Sequence, residues 1–279
     1  MKADLHVHTC FSDGDQSPEE IAALANEKGL AFISVCDHNT VAAYPRLKAA
    51  CAKEGVGLIR GAEISTSWHN RDTHLLAYDF DAENGEMLGL LQRARRELDG
   101  LDDDLARNMA EDFPEIDLQE YGTYARPPGR GGWKSINYIF DKGLSENILD
   151  SMKYFAKYAR READFPDIAW ACRVIKAAGG VPVAAHPGVW GSEEPAALFA
   201  RLAELKALGV EGFECHYPLH SADFTRMCVD FCLENNMYIT CGGDCHGEFA
   251  RYSAEADRYL GVMDVDMKDL RLWPGFGEK

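Results

Sequence analysis

Short apolar runs alternate with stretches whose apolar residues recur at helical spacing, and this rhythm holds toward both ends of the chain but not in its middle. Residues 4–8 predict a first strand. Ser17-Pro18-Glu19-Glu20 then supplies an N-cap, a proline at the first helical position and a glutamate placed to close a capping box. Ile21, Leu24, Ala25 and Lys28 share one side of the helix begun there, and Gly29 is its stop. Residues 31–36 predict a second strand, 41–53 a helix whose start Pro45 disturbs, and 56–61 and 73–78 two further strands.

The texture changes over 86–164, which is charged and mostly helical. Leu88, Leu91, Ala94, Arg95 and Leu98 mark an amphipathic helix. A loop over 121–133 contains Arg126-Pro127-Pro128-Gly129-Arg130-Gly131-Gly132, a short helix over 135–142 ends at Gly143, and a further helix is expected over 145–160. The alternation then resumes with helices at 168–178, 196–208 and 223–235 and strands at 181–185, 210–215 and 238–241. Strands alternating with helices predict a mostly parallel sheet, and this many units suit a barrel. The expected organisation is a barrel built from 1–85 and 165–279, with 86–164 as a helical insertion over its mouth.

Composition narrows the setting. The chain of 279 residues is 46% hydrophobic, enough for one large α/β domain with an insertion. No stretch approaches the ~20 apolar residues that span a bilayer, and the start lacks the apolar core of a signal peptide. A cytoplasmic protein with no membrane partner is expected; the oligomeric state is not legible. The formal charge of −17 repels phosphate backbones, which argues against binding long nucleic acids. Nine cysteines without a C-x-x-C spacing point to buried or free thiols rather than a disulfide scaffold or zinc ribbon.

The chemistry gathers at the predicted strand ends. His6 and His8, separated by one residue on a strand, face the same way and can reach one ion. Asp13 follows in Phe11-Ser12-Asp13-Gly14. Asp37 and His38 follow the second strand, Glu63 the third, and His74 opens the fourth. His186, Glu214 and Asp244 lie at later strand ends, with His246 just beyond. The C-terminal rim of a barrel is where such folds place their active sites.

These segments, Asp4-Leu5-His6-Val7-His8, Asp37-His38-Asn39-Thr40, Gly61-Ala62-Glu63-Ile64-Ser65, Ala185-His186-Pro187 and Gly242-Gly243-Asp244-Cys245-His246, stand in the order found in the PHP family, the polymerase and histidinol phosphatase group of phosphoesterases, and the chain resembles that family over 1–85 and 165–279. The helical insertion resembles that of a small-molecule phosphatase subgroup. The resemblance implies a distorted (β/α)7 TIM-like barrel and two or three divalent ions (Mn, Fe or Zn). It implies a first ion on His6, His8 and Asp244, a bridging Glu63, a second ion completed by His74 and His186, and a third on Asp13, His38 and His246. In some relatives a histidine stands at the place of Asp13, which bears on the third site's metal preference. Asp37 is expected to support a ligand from behind.

Closely spaced ions activate water and neutralise phosphoryl oxygens, so no protein nucleophile is needed. Arg130 and Lys134, with Ser135 beside them, are candidates to grip a second phosphate, and His216 to protonate a leaving oxygen or bind phosphate. The expected substrate is a small phosphorylated molecule: a nucleotide bisphosphate, a sugar phosphate or a ribose cyclic phosphate. The competing readings are a histidinol-phosphate phosphatase, an exonuclease for short oligonucleotides and a non-catalytic metal-binding module.

Overall fold

The computed structural model describes residues 1–191, 194–251 and 258–277. The chain opens with β1 (Lys2–Val7), α1 (Pro18–Glu27), β2 (Leu30–Val35), α2 (Tyr44–Glu54), β3 (Gly57–Trp68) and β4 (Arg71–Tyr78). The helical stretch follows as α3 (Gly85–Met109), α4 (Leu118–Thr123), α5 (Lys134–Asp141), a 3-10 segment at Leu149–Tyr154 and the single turn α6 (Phe155–Tyr158). The alternation returns with α7 (Ile168–Ala177), β5 (Val181–Ala184), α8 (Pro195–Ala207), β6 (Gly212–His216), α9 (Ala222–Glu234), β7 (Tyr238–Cys241) and α10 (Glu248–Arg251). The capping box read from Ser17 and Glu20 forms at the start of α1.

The seven strands lie side by side in chain order. A parallel bridge pairs Val7 with Cys245, and the His8 amide donates to the Cys245 carbonyl at 2.8 Å, so the segment after β7 returns to β1 and the sheet curls into an α/β barrel. Six strands run in parallel; β4 runs against both β3 and β5. The mostly parallel sheet expected from sequence departs from that direction at this hairpin alone among the described strands. Its two-residue turn is His69-Asn70, both with positive φ (52° and 57°), the conformation of a tight hairpin turn that Asn-Gly or Gly-Gly usually announces. Here no glycine marks it. As a result β3 runs seven residues beyond Gly61, and Glu63 stands inside the strand rather than past its end.

Apolar faces explain the layering. Leu5, Cys36, Ile59, Leu76, Tyr78 and Val183 form a cluster with no helix residue, which places it inside the barrel, and Trp273 packs against it. Ile33 and Val35 point the other way, onto Ile21, Ala22 and Leu47 of α1 and α2. The outer faces of β3–β7 are covered by α3, α7, α8 and α9. A separate cluster of Leu105, Met109, Tyr121, Tyr138, Ile139 and Tyr158 holds the second half of α3 to α4, α5 and α6. The helix expected over 145–160 is broken, because Asn147 and Asp150 turn their side chains onto the amides of Asp150 and Glu146 and compete with helical bonding. Among the described residues no helix is long and apolar enough to cross a membrane.

Candidate metal centre

His6, His8, Asp13, His38, Glu63, His186, Asp244 and His246 are all buried, with His74 partly so, and they converge at one end of the barrel. The elements around them leave little freedom. Glu214, inside β6, accepts from His6 Nδ1 at 3.0 Å and from the His186 amide at 2.8 Å. This turns His6 Nε2 toward the cluster, the usual task of a carboxylate behind a ligating imidazole. Gly242 lies so close to the His6 side chain that a Cβ there would collide with it. His186 and Asp244 hold positive φ of 31° and 48°, uncommon backbone of the kind that concentrates at functional sites.

Glu63 is the hub. Its Oε2 lies 3.2 Å from both His6 Nε2 and His8 Nε2 and 3.4 Å from His38 Nδ1. Its Oε1 lies 2.9 Å from His74 Nδ1 and 3.1 Å from His186 Nε2. Asp244 Oδ1 sits 3.1 Å from His8 Nε2 and 3.6 Å from His6 Nε2. Asp13 Oδ2 sits 3.2 Å from His246 Nε2 and 3.7 Å from His38 Nε2. Adjacent donors bonded to one ion at ~2.1 Å are separated by about 3.0–3.4 Å, and most of these spacings fall in or close to that range. Three overlapping groups could each hold a cation: His6, His8, Glu63 and Asp244; His38, Glu63 and His74; and His8, Asp13, His38 and His246. Asp13 Oδ1 and His38 Nδ1 have no hydrogen-bond partner although buried. Buried polar atoms left in this way suit a donor set built for cations.

Charge supports the same fit. Burial opposes a proton on His8, but Asp244, Glu63 and Asp13 outweigh it and raise its pKa to about 10. Burial likewise opposes His74, and Glu63 and Asp72 raise it to about 9. Burial dominates at His38 and lowers it to about 4. Burial alone would raise Glu63 and Asp244; their histidines hold both carboxyls well below the usual range. Protons balance the carboxylates here, and each protonated nitrogen must release its proton before it can take a metal.

The surrounding residues fall differently from the sequence expectation. The Asp37 carboxylate accepts from the Thr9 amide at 2.8 Å, from Thr9 Oγ1 at 2.7 Å and from Ser12 Oγ at 2.5 Å, and so holds the turn between His8 and Asp13, while its carbonyl accepts from the Glu63 amide at 3.4 Å. His216 lines an outer cavity with Pro218, Ala222 and Met263. An irregularity in pairing between Glu214 and His216 shifts its register against β7. Its neighbour Tyr217 reaches the centre instead, donating to Asp244 Oδ2 at 3.1 Å, where Arg258 also donates at 2.8 Å. Arg130 turns to Asp141 at 2.5 Å. The glycines after it serve loop packing: Gly132, with φ of 69°, donates to the Asp13 carbonyl at 2.6 Å. Arg126, which the sequence did not single out, donates to the carbonyls of Cys10, Ser12 and Gly14 at 2.7, 2.8 and 3.2 Å. It ties the loop before α5 to the turn that carries Asp13.

Lys134 lines a cavity that adjoins the centre at His38. A cavity of about 400 Å³ is lined by His38, Arg95, Arg126, Trp133 and Lys134, together with Asp99, Asp102 and Asp103. His38 and Trp133 also line the cavity of about 640 Å³ over the metal-ligating groups, whose apolar wall includes Leu149, Met152, Leu219 and Phe249. Ser135 is committed elsewhere, its amide and hydroxyl both donating to Asp102. Burial pushes the Asp102 carboxyl up to about 6, against those bonds and with help from Asp103 and Asp99. The folded carboxyl therefore holds its proton more tightly than the unfolded one, near 3.9, and its contribution to stability falls as pH rises through about 6. Asp102→Asn, which keeps an acceptor for Ser135, is expected to raise Tm at pH 8 by about 2–4 °C and to give no gain at pH 4. Thermal scans at the two pH values check this; an equal shift at both would show that ionisation is not the cause.

A curled parallel sheet with clustered imidazoles and carboxylates at its rim defines a metal-centred α/β barrel. Residues 4–126 match the profile described as the PHP domain. A 5'-3' exoribonuclease of Haemophilus influenzae is 28% identical over 257 residues, covering 88% of this chain and 90% of that one. A phosphoribosyl 1,2-cyclic phosphate 1,2-diphosphodiesterase of Eggerthella lenta is 27% identical, covering 90% and 96%. A 3',5'-nucleoside bisphosphate phosphatase of Chromobacterium violaceum is 26% identical, covering 87% and 86%. Among solved structures, a Bifidobacterium adolescentis protein assigned as a metal-dependent phosphoesterase shares the fold, with a TM-score of 0.79 at 22% identity over 96% of this chain and 94% of that one.

Proposed function

We propose that the protein is a metal-dependent phosphoesterase that hydrolyses small nucleotides carrying a second phosphate. The observation that carries this reading is the cation-bearing cavity of Lys134 and Arg95, joined to the metal-ligating cavity through His38 and Trp133. His6, His8, Glu63 and Asp244 would hold one ion, His74 and His186 a second with Glu63 between them, and Asp13, His38 and His246 a third. Bound divalent ions supply Lewis-acid activation of the attacking water and neutralise phosphoryl oxygens. The chain's own residues do the rest. Glu214 orients His6, Arg258 and Tyr217 hold Asp244 so that Oδ1 faces the centre, and the apolar wall of Leu149, Leu219 and Phe249 excludes water. Lys134, stacked 4.1 Å over the Tyr121 ring, is held in place to receive the phosphate that is not cleaved. That remote contact would position the reacting ester over the ions.

The relatives named for a bisphosphate, a cyclic phosphate and RNA ends all cleave bonds to phosphorus, and the cavities here suit the first and the last of these. The test is phosphate or nucleotide release from Mn(II)-, Zn(II)- and Fe(II)-loaded protein given a nucleoside 3',5'-bisphosphate, a ribose cyclic phosphate, a 5'-phosphorylated oligonucleotide and an aryl phosphate. Lys134→Ala is expected to lower kcat/KM for the bisphosphate by about 10–100-fold, the effect of losing one charged hydrogen bond, and to spare the aryl phosphate. Full activity after exhaustive chelation, or equal losses on the two substrates, would overturn the reading.

A further inference from the structure

A third cavity, of about 380 Å³, is lined by Trp68, Arg71, Asp72, His74, His186 and Trp190. His74 and His186 line both this cavity and the metal-ligating one, just as His38 lines the latter and the cavity of Lys134. The metal-ligating cavity therefore adjoins both of the others. Their chemistry differs. The Lys134 cavity sets Lys134, Arg95 and Arg126 among Asp99, Asp102 and Asp103, whereas the third cavity carries a single Arg71 and Asp72 beside the indole rings of Trp68 and Trp190. Trp68 and Trp190 stand with ring centroids 6.3 Å apart at 48°. Trp68 commits its Nε1 to Glu204 at 3.1 Å, so that ring edge is fixed.

We propose that this cavity is a subsite for a nucleobase on the leaving side of the scissile phosphate. The assignment rests on the phosphoesterase reading above and extends it to phosphodiesters. A 5'-phosphorylated dinucleotide would place its terminal phosphate at Lys134, its internal diester at the centre and its second base against Trp190. Water adds its oxygen to phosphorus, the P–O bond to the second nucleoside breaks, and the proton ends on the departing hydroxyl; no other reactant is required. The elements that carry the rings also carry the centre. Trp68 ends β3, which bears Glu63, and Trp190 closes the 3-10 turn Pro187–Trp190 directly after His186. The platform is thus held at a fixed distance from the reacting bond. Flat aromatic surface with balanced charge accepts any base and gives sequence-tolerant stacking.

The experiment compares Mn(II)-loaded wild type, Trp190→Ala and Trp190→Phe on three substrates: a 5'-phosphorylated dinucleotide, the same dinucleotide lacking its second base, and a nucleoside 3',5'-bisphosphate. Trp190→Ala is expected to lower kcat/KM for the dinucleotide by about 10–100-fold, to leave the bisphosphate within about twofold, and to have no effect on the substrate without the second base. Trp190→Phe should retain most of the rate. Equal losses on dinucleotide and bisphosphate, or a wild type indifferent to the missing base, would overturn the proposal. A second readout needs no turnover: a dinucleotide should quench the tryptophan fluorescence of chelator-treated wild type more than that of Trp190→Ala. Quenching without hydrolysis of any substrate would sink the phosphoesterase reading and leave the subsite standing. Hydrolysis of the bisphosphate with no difference in quenching and no base dependence would sink the subsite alone.

Discussion

Glu63→Gln is expected to lower phosphoester hydrolysis by several orders of magnitude and to leave the purified protein short of at least one bound ion. Glu63 faces His6, His8 and His38 with one oxygen and His74 and His186 with the other. Glutamine keeps the shape but removes the charge and presents an amide nitrogen to one of the two groups, so the link between neighbouring ions is lost. If activation of water by those ions is the main catalytic effect, the loss exceeds that of any substrate contact. Metal analysis alongside turnover, with circular dichroism to show that the barrel persists, checks the prediction. A folded variant with full metal content and near-normal kcat would refute the bridging role.

The second large effect is expected at Arg126, far from the ions by chemistry but not by connection. Its guanidinium satisfies three carbonyls on the turn from Cys10 to Gly14, between the ligands His8 and Asp13. Arg126→Ala strands these acceptors and frees the turn, and removal of a partner that orients a ligand typically costs about 10–100-fold in metal affinity. The loss should fall on the group of Asp13, His38 and His246, and should appear as activity recoverable at high metal concentration. Arg126→Lys, a point charge without the planar fork, should recover little of it. A metal titration of kcat for each variant distinguishes this from a contact to substrate, which added metal would not rescue.

Much of this arrangement was legible before the fold was known, because the signals are local. Two histidines one residue apart on a strand must share a face, and Ser17 and Glu20 three residues apart must cap one another. The hairpin was not legible, since His69-Asn70 adopts a turn usually given away by glycine. Nor was the fate of His216: a single slip in strand pairing hands the site to Tyr217, and residue type carries no record of it. Arg130 and Arg126 were equally basic in the sequence. Only the packed loop shows that one reaches Asp141 on the surface while the other is drawn under Asp13. Glu214 stood among the rim residues without a role until its oxygens were found on His6 and His186.

The barrel closes where Cys245 meets Val7 and His8, and groups that could ligate a cation stand on both sides of that seam: His6 and His8 on one, Asp244 and His246 on the other. A cation held between them would join segments that lie far apart in the sequence. With such a site, the early histidines would wait during synthesis until Asp244 and His246 had emerged, and full metal capture would report that the whole barrel has been assembled. A bound ion would then resist the opening of that seam, since whatever binds only the closed form stabilises it, the more so at higher concentration. Stripping the metal should loosen this junction first, with faster amide exchange at His8 than in the β3–β4 hairpin, whose pairing does not depend on the chain's two ends finding each other.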